Sequence, residues 1–372
     1  MSEFPYAFSS QTDWTQVASE LGDSLTVSGP PADGTGLLYV TDHFASDFQQ
    51  IAAVLRQRTG LETWVGTLGL GVIAGPNAVF DRPGAAAMIL DVPGDACRLI
   101  ERSPIPDRWS DDLMQWVETV RPMSALVHAD PMTPQVADLI ETLAKRTGAF
   151  LVGGLTCSRG PQHQLAGDLG AGGLSGLLFS PDVPLTVGLS QGCSPLGISH
   201  EITGGEANVV AEIDGRLALD VFKEDIGEML ARDLQRVAGY VHVAFPVSGS
   251  DGSADYLVRN LIAIDQENGW LGVGTEVAPG DRIMFVRRDP ASARADLDRM
   301  LKDVKTRLPG PARGAIYISC VARGPEMFGT DTAEAEQISE GLGGAPVVGF
   351  YAGGEISNDR LYAYTGVLLV FG

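Results

Sequence analysis

The C-terminal segment of the chain, from Gly314 to Gly372, follows a pattern that also occurs twice earlier. Each copy contains an apolar strand, a helix, a second apolar strand, a glycine-rich turn and a third strand. The first copy begins at Leu37 and the second at Ala125. Apolar strands that alternate with helices are typical of α/β proteins. The sequence therefore predicts an α/β fold with mixed sheets, built from three strand-helix-strand-strand units.

Glycine occupies two corresponding places in the three copies. We expect the second strand of each copy to end at a Val-Gly step: Val65-Gly66, Val152-Gly153 and Val348-Gly349. The preceding helix closes at a glycine, the usual residue of a left-handed helix C-cap: Gly60, Gly148 and Gly343. The copies share a pattern more than identical residues. Common descent and a chance likeness between ordinary strand–helix–strand units are both compatible with it.

The segment between the second and third copies has a different character. Residues 184–222 alternate in polarity and are interrupted by Gly204-Gly205 and Asp214-Gly215. Both dipeptides suit two-residue turns, so we predict a β-hairpin region. A polar loop at 246–254 is the expected domain junction or active loop. Apolar periodicity predicts helices at 15–21, 47–58, 135–146, 223–237 and 291–308.

Length and composition limit the class of protein. With 372 residues, the chain is expected to form two domains. It is 44% hydrophobic and 20% charged, which indicates a globular protein. Its 26 basic and 47 acidic residues give a net charge of −21. This charge argues against a nucleic-acid or anionic-membrane surface, because both need clustered Lys and Arg.

The sequence favours a cytoplasmic protein. Its first residues lack a basic region followed by an apolar core, so we expect no signal peptide. No run approaches the length of a membrane helix, so we expect no membrane insertion. The four cysteines are scattered and form neither a zinc pattern nor a disulfide framework.

An ordered set of motifs resembles the FIST family, named for F-box and intracellular signal transduction proteins. The motifs are GLSQGCSPLG, AEIDGRLALDVF, YLVRNLIAID, SCVARG, VVGFYAGGEI and YTGVLLVF. The resemblance covers nearly the whole chain. It implies an N-terminal segment at 1–34, a FIST N-terminal-like domain at 35–235 and a FIST C-terminal-like domain at 236–372.

The resemblance implies a non-catalytic sensory module that binds a small ligand, with amino acids suggested for some members. Other members look like haem proteins that report nitric oxide to a histidine kinase, which makes a haem-based sensor the alternative. No fused kinase or receptor region is evident in this sequence. Any signal is therefore expected to pass to a separate partner, such as a histidine kinase.

Polar and glycine residues follow two buried strands of the third copy, where α/β folds usually place ligands. We expect these residues to form the ligand site: Cys320, Arg323, Gly324, Gly353, Gly354 and Glu355. Arginine binds carboxylates through paired hydrogen bonds. An arginine for a carboxylate and a glutamate for an ammonium group suit an amino acid. The alternative is a structural Arg323–Glu355 ion pair.

Arg259 and Asn260 are the further expected ligand contacts. Arg259 lies in an apolar context, where an unpaired charge is costly, so it needs a ligand or an acidic partner. Asn260 offers an amide contact, or caps a turn.

Cys320 is the basis of a third hypothesis, in which the protein is a cysteine-dependent enzyme. If Arg323 turns back toward it, the cation favours the thiolate and lowers the thiol pKa. The alternative is an inert, buried cysteine. No GxSxG motif or phosphate loop is present.

The haem-sensor hypothesis needs a histidine that binds the haem iron, and no CxxCH motif marks such a histidine. The five histidines are His43, His128, His163, His200 and His242. None of their spacings is that of a metal-binding helix, so we expect no metal site.

Overall fold

The structure, a computed structural model, describes residues 2–27, 29, 31, 34–105, 108–237, 239–247 and 255–372. The chain forms two compact units. Unit 1 comprises Met1–Ser190 and Arg294–Gly372, and unit 2 comprises Gln191–Ala293. These units divide the chain differently from the expected sequence domains, whose boundaries stay a prediction. Most of the predicted polar loop, at 248–254, lies outside the described residues.

The strands are numbered along the chain. Unit 1 begins with β1 (Tyr6–Ser9), β2 (Thr35–Thr41), β3 (Trp64–Gly69), β4 (Gly71–Ala74), β5 (Asn77–Phe80), β6 (Ala85–Leu90), β7 (Cys97–Ser103), β8 (Ser124–Ala129), β9 (Phe150–Leu155), β10 (His163–Ala166), β11 (Asp168–Ala171), β12 (Leu174–Phe179) and β13 (Leu185–Gln191). Unit 2 contains β14 (Cys193–Pro195), β15 (His200–Glu206), β16 (Val209–Ile213), β17 (Arg216–Leu217), β18 (Val241–Pro246), β19 (Tyr256–Asp265), β20 (Trp270–Val273) and β21 (Arg282–Arg288). Unit 1 resumes with β22 (Gly314–Cys320), β23 (Val347–Ala352), β24 (Glu355–Ser357), β25 (Arg360–Tyr362) and β26 (Thr365–Phe371).

The described residues contain helices at all five predicted places and further helices besides. The helices are α1 (Trp14–Thr26), α2 (Phe48–Thr59), α3 (Asp111–Val120), α4 (Val136–Thr147), α5 (Ala218–Ala231), α6 (Leu234–Val237), α7 (Pro290–Arg307), α8 (Gly324–Phe328) and α9 (Ala333–Gly341). The helix predicted at 223–237 begins earlier and is divided into α5 and α6, with a non-helical Gly227 inside α5. Gly60, Gly148 and Gly343 have positive φ, as predicted. Among the described helices, none is both long enough and apolar enough to cross a membrane.

Unit 1 repeats one order of elements three times: strand, helix, strand, helix and four strands. Repeat 1 runs from β1 to β6, and repeat 2 from β7 to β12. Repeat 3 consists of β13, α7 and the elements from β22 to β26, with the short α8 added. Unit 2 is inserted between β13 and α7. The three predicted strand-helix-strand-strand units are therefore confirmed, and each extends further toward its N-terminus than the pattern indicated.

The three repeats exchange their hairpins in a cycle. The sheet orders are β1-β6-β2-β3-β10-β11, β7-β12-β8-β9-β24-β25 and β13-β26-β22-β23-β4-β5. The hairpin of repeat 1, β4–β5, thus extends the sheet of repeat 3. The hairpins of repeats 2 and 3 extend the sheets of repeats 1 and 2. Each sheet is mixed, and each needs two strands from another repeat.

The Val-Gly glycines lie in the middle of their strands and not at the ends, so that part of the expectation is wrong. Each faces a parallel neighbour within its own repeat, which is β2, β8 or β22. A Cβ atom would lie 1.7 Å from the Leu38 carbonyl oxygen at Gly66, 1.8 Å from that of Val127 at Gly153, and 1.6 Å from that of Tyr317 at Gly349. On its other side, each glycine pairs with the incoming hairpin. Glycine is required there because a Cβ atom would overlap a carbonyl oxygen of the neighbouring parallel strand.

The three sheets share one core in unit 1. Leu37 of β2, Leu126 of β8 and Ile316 of β22 occupy corresponding positions. All three are fully buried in a single apolar cluster. The outer face of the first sheet packs on α1 and α2, and that of the second sheet on α3 and α4. The carboxyl ends of β2, β8 and β22 therefore belong to one continuous body.

Unit 2 is an antiparallel barrel. Its strands follow the order β15-β16-β20-β19-β18-β21, and pairing of β21 with β15 closes the ring. The predicted turn at Asp214-Gly215 is present between β16 and β17, with positive φ at both residues. The turn predicted at Gly204-Gly205 is wrong. These glycines lie inside β15 at register shifts, where an added residue bulges the strand.

We expect Gly153→Ala to destabilise the protein by roughly 3 kcal/mol or more, because the new methyl group meets a backbone oxygen that cannot move aside. Urea unfolding followed by circular dichroism measures the loss. Gly160→Ala in the same repeat is the matched control, since only the Ser158 hydroxyl lies near its Cβ, at 3.9 Å. Equal stability of the two variants would contradict the proposed backbone constraint.

Candidate functional site

The three repeats meet in a ring of backbone hydrogen bonds at the carboxyl ends of β3, β9 and β23. The N–H of Cys157 donates to the Leu68 carbonyl at 3.0 Å, and that of Gly353 to the Leu155 carbonyl at 3.2 Å. The N–H of Leu70 completes the cycle with the Tyr351 carbonyl at 3.4 Å. This ring places the carboxyl ends of β3, β9 and β23 side by side, which is where α/β proteins usually bind ligands.

Glu355 is buried beneath this ring. It begins β24, directly after the exposed Gly353 and the buried Gly354, and its own exposed fraction is 0%. One carboxyl oxygen, Oε2, accepts hydrogen bonds from the Thr365 hydroxyl at 2.7 Å and the Thr365 N–H at 3.1 Å. The other oxygen, Oε1, is buried and accepts no hydrogen bond of normal geometry from any described residue. A buried carboxyl oxygen without a donor is unusual and marks a place for a ligand group or a water.

Burial dominates the electrostatics of Glu355. Removal from water raises the pKa of its carboxyl group from 4.5 to about 8. The Thr365 hydrogen bonds, the more distant Arg323 charge and the nearby Cys320 thiol, which is a weak donor, lower this pKa only in part. The carboxyl group is therefore mainly protonated at neutral pH, and a cation beside Oε1 would ionise it.

Two thiols lie close to Glu355. Cys320 ends β22 and is 4% exposed, and burial raises its pKa above the usual range. Arg323 opposes this shift more weakly than burial and Glu355 produce it. The condition under which Arg323 would favour the Cys320 thiolate is therefore not met, and the alternative of a buried, inert cysteine fits this environment better. Cys157 is half-buried, and its thiol pKa is raised to about 11 by burial, Asp42 and Glu355.

An ion pair stands at the rim beside Cys157. Arg159 donates to both carboxyl oxygens of Asp42 at 2.8 Å and also pairs with Asp81 at 2.7 Å. The Arg159 side chain is 57% exposed, so a ligand can reach it. Arg159 lowers and Glu355 raises the pKa of the Cys157 thiol, so both charged groups lie near that thiol. We call Glu355, Cys320, Cys157, Asp42 and Arg159 the Glu355 site.

Arg323 does not pair with Glu355, which corrects the predicted ion pair. It is 1% exposed, and its Nε donates to Glu334 at 2.9 Å. Glu334, on α9, also accepts from the hydroxyls of Tyr317 at 2.7 Å and Ser319 at 2.9 Å. The outer guanidinium nitrogens make longer contacts to Ser190 at 3.4 and 3.5 Å. Arg323 is thus a buried structural cation whose donors already face protein acceptors.

The other predicted residues have separate places. Gly324 begins α8 with φ of 42° and packs on Phe80 and Tyr351. Arg259 and Asn260 belong to β19 of unit 2, where Arg259 is half-buried and its Nη1 donates to the Val258 carbonyl at 2.9 Å. Asn260 is exposed and pairs with His242 of β18.

His128 and His200 do not fit a haem ligand. His128 lies in the core with its ring 5.5 Å from Tyr39 and 5.8 Å from Phe350, and burial lowers its pKa to about 3. A haem cannot enter such a packed cluster. Both ring nitrogens of His200 face carboxylates, at 2.6 Å from Asp214 and 3.0 Å from Asp225. His43 is exposed beside Asp42, His163 is half-buried on β10, and His242 is buried on β18.

Residues missed by the sequence analysis come from the other repeats. Cys157 and Arg159 follow β9 in repeat 2, just as Gly353 and Glu355 follow β23 in repeat 3. The shared Val-Gly step could have aligned these positions. Glu334 and Thr365 carried no such signal.

The turn that holds Glu355 is strained. Tyr364, just before Thr365, has φ of 65°, a region that costs an ordinary L-residue about 1–2 kcal/mol. The strand registers place Gly172, with φ of 84°, at the corresponding position of repeat 2. Repeat 3 therefore keeps a tyrosine where repeat 2 has the unstrained residue, and such strain is concentrated at functional sites.

Comparisons with known proteins agree with this architecture. The family model of the FIST N domain matches residues 34–216, and that of the FIST C domain matches residues 218–358. An uncharacterized protein of Mycobacterium tuberculosis (strain ATCC 25618 / H37Rv) is 34% identical over 197 residues, covering 49% of this chain and 50% of the relative. An uncharacterized protein of Mycobacterium bovis is 31% identical over 190 residues, covering 49% of each. The chain spans about half the length of these curated relatives.

We expect Glu355→Gln to remove a pH dependence of stability. The folded-state pKa of Glu355 is raised, so its stabilising contribution is complete below pH 4.5 and is lost as the pH rises through about 8. The free energy of unfolding of the wild type, relative to the variant, should fall by up to about 1.4 kcal/mol per pH unit in this window. Urea titrations from pH 5 to pH 9 measure it, with the exposed Glu340→Gln as control. A constant difference between wild type and variant would refute the buried, protonated carboxyl.

We expect Glu334→Ala to destabilise the protein by about 3–5 kcal/mol, because it leaves the Arg323 charge buried without its carboxylate. The double variant Arg323→Met/Glu334→Leu should be several-fold less damaging, since both charges leave together. Chemical denaturation of Arg323→Met, Glu334→Leu and the double variant gives the coupling energy between the two side chains. Additive losses would show that the two side chains do not act as a pair.

Proposed function

This chain belongs to the FIST family, and from that premise we propose that it is a non-catalytic sensory protein that binds a small metabolite at the Glu355 site. FIST domains are sensory domains of signalling proteins. The activity of this chain is then ligand binding that provides the input to an intracellular signalling pathway. The two thiols of the site have raised pKa values, which favours binding over thiol catalysis.

The observation that carries the proposal is the buried Oε1 of Glu355, which accepts no hydrogen bond of normal geometry within the part of the chain that the structure describes. An ammonium group is the donor that suits it best, because its charge favours the ionised carboxylate and its N–H groups are strong donors. Thr365 already holds Oε2, so the carboxylate is oriented before the ligand arrives. Such preorganisation reduces the cost of binding.

The rest of the site favours an amino acid as the ligand. Arg159 is exposed at the rim. Two of its nitrogens hold Asp42, so a ligand carboxylate would displace Asp81, the exposed partner of its Nη1. With the ammonium group at Glu355 and the carboxylate at Arg159, the ligand would lie across the Cys157 thiol. Arg323 is replaced in this role, since Glu334 and the surrounding hydroxyls occupy its donors.

The output belongs to the same proposal. We place the protein in the cytoplasm, where its four free cysteines suit a reducing environment. The signal would pass to a separate partner such as a histidine kinase, through a ligand-dependent change at the carboxyl ends of the unit 1 strands.

A thermal-shift screen of the common amino acids identifies the ligand, and calorimetry measures its affinity. We expect Glu355→Gln to weaken binding about 10- to 100-fold, because a charged hydrogen bond to a buried group contributes about 1.5–3 kcal/mol. Binding at pH 7 should release protons, because the ligand ionises a carboxyl group with a pKa of about 8. Calorimetry in buffers of different ionisation enthalpy detects that release.

Two controls make the result specific. Glu340→Gln removes an equal charge from an exposed position of α9 and should leave the affinity unchanged. The deaminated analogue of the ligand should not bind. Unchanged affinity in Glu355→Gln, or binding without proton release, would show that Glu355 does not receive the ligand.

A further inference from the structure

Unit 1 has a cavity at the end of the molecule opposite to the Glu355 site. Its volume is about 490 Å³, within the usual range of small-ligand sites. It lies at the amino ends of β2 and β3, beside Thr35 and Thr63, and β7 and the start of α3 form the opposite wall. The cavity therefore sits where repeat 1 meets repeat 2.

The corresponding junction between repeats 3 and 1 is filled by an aromatic ring. Strand pairing aligns Tyr6–Met88 with Leu99–Leu177, so Phe4 corresponds to Cys97. At the filled junction, Phe4 is 1% exposed and packs on Gly314 so closely that a Cβ there would lie 2.7 Å from the ring.

At the junction with the cavity, Thr35 stands at the position of Gly314, and its hydroxyl contacts the Cys97 sulfur at 3.7 Å. Cys97, Leu99 and Leu177 all line the open space. The cavity therefore lies where a small side chain, Cys97, stands at the position that Phe4 fills in the other junction.

The cavity has an apolar floor and an acidic rim. Leu61, Leu113 and Leu177 on the floor are at most 3% exposed. At the rim, Asp112 forms an ion pair with Arg98. Glu62 and Glu101 also line it, and in the part of the chain that the structure describes neither carboxylate has a cationic partner. Two free carboxylates above apolar walls suit a ligand with ammonium groups on an aliphatic chain.

We propose that this cavity is a second binding site, for a small aliphatic diamine. The methylene chain lies on the leucine floor, and the two ammonium groups pair with Glu62 and Glu101. The large negative charge of the chain, −21, raises the local concentration of such cations. This site is independent of the proposed function at Glu355, since it shares no residue with that site.

The test uses 1,4-diaminobutane as the probe and calorimetry on the full chain. We expect wild-type protein and Cys97→Ala to bind it, because both keep the cavity open. Cys97→Phe copies the filled junction and should lower the affinity at least 10-fold. A melting temperature close to that of the wild type confirms that this variant folds, and Glu62→Gln/Glu101→Gln tests the same site without adding bulk.

Charge is controlled by Glu118→Gln/Glu340→Gln, which removes two exposed carboxylates outside the cavity and should leave binding unchanged. Neutral 1,4-butanediol should not bind. The proposal is overturned if the probe does not bind wild-type protein at 10 mM. It is also overturned if Cys97→Phe and the cavity double variant bind as wild type, or if the control double variant loses as much affinity as the cavity double variant.

Discussion

The close contact of backbones at Gly66, Gly153 and Gly349 is the constraint on which unit 1 depends. At each glycine, β2, β8 or β22 of the same repeat approaches from one side, and a hairpin from another repeat pairs on the other side. A side chain at any one of them would separate two strands and expose the hydrogen-bonding edge of a third repeat. The three sheets are therefore coupled, because none can be completed without its neighbour. This coupling also brings three strand ends into the ring above Glu355.

Both proposed binding sites lie where the repeats differ. The ring of hydrogen bonds is shared by all three, yet a glutamate lies beneath it only in repeat 3, and Thr365 and the strained Tyr364 hold that glutamate in place. Repeat 2 contributes Cys157 and Arg159 to the same place. The amino-end cavity follows the same logic, since Cys97 replaces the phenylalanine of another junction. Internal repetition thus separates the residues that the fold needs from those that depart from it.

The sequence predicted the repeated units and most helices because apolar periodicity and capping glycines are local signals. It did not predict the hairpin exchange, since strands such as β4 and β10 pair with residues far away in the chain, and no local pattern encodes that choice. Gly204-Gly205 was read as a turn because glycine pairs favour turns and bulges alike. The strand ends of the third repeat led to Cys320 and Glu355, which the structure places close together, and their role as ligand contacts stays a prediction. The partner of Arg323 was missed because Glu334 lies on a helix whose inward face carries an acid.

Burial decides which of the predicted charged residues can receive a ligand. Arg323 and Glu355 are both excluded from water, but their surroundings differ. Arg323 lies among a carboxylate, two hydroxyls and a carbonyl, so its charge is compensated within the protein. Among the described residues, Thr365 alone donates hydrogen bonds of normal geometry to Glu355, both to Oε2. Burial raises the pKa of the carboxyl group to about 8, so it is mainly protonated at neutral pH. A bound cation would replace that proton. The same low dielectric that makes Arg323 a fixed part of the fold therefore makes Glu355 responsive to what binds beside it.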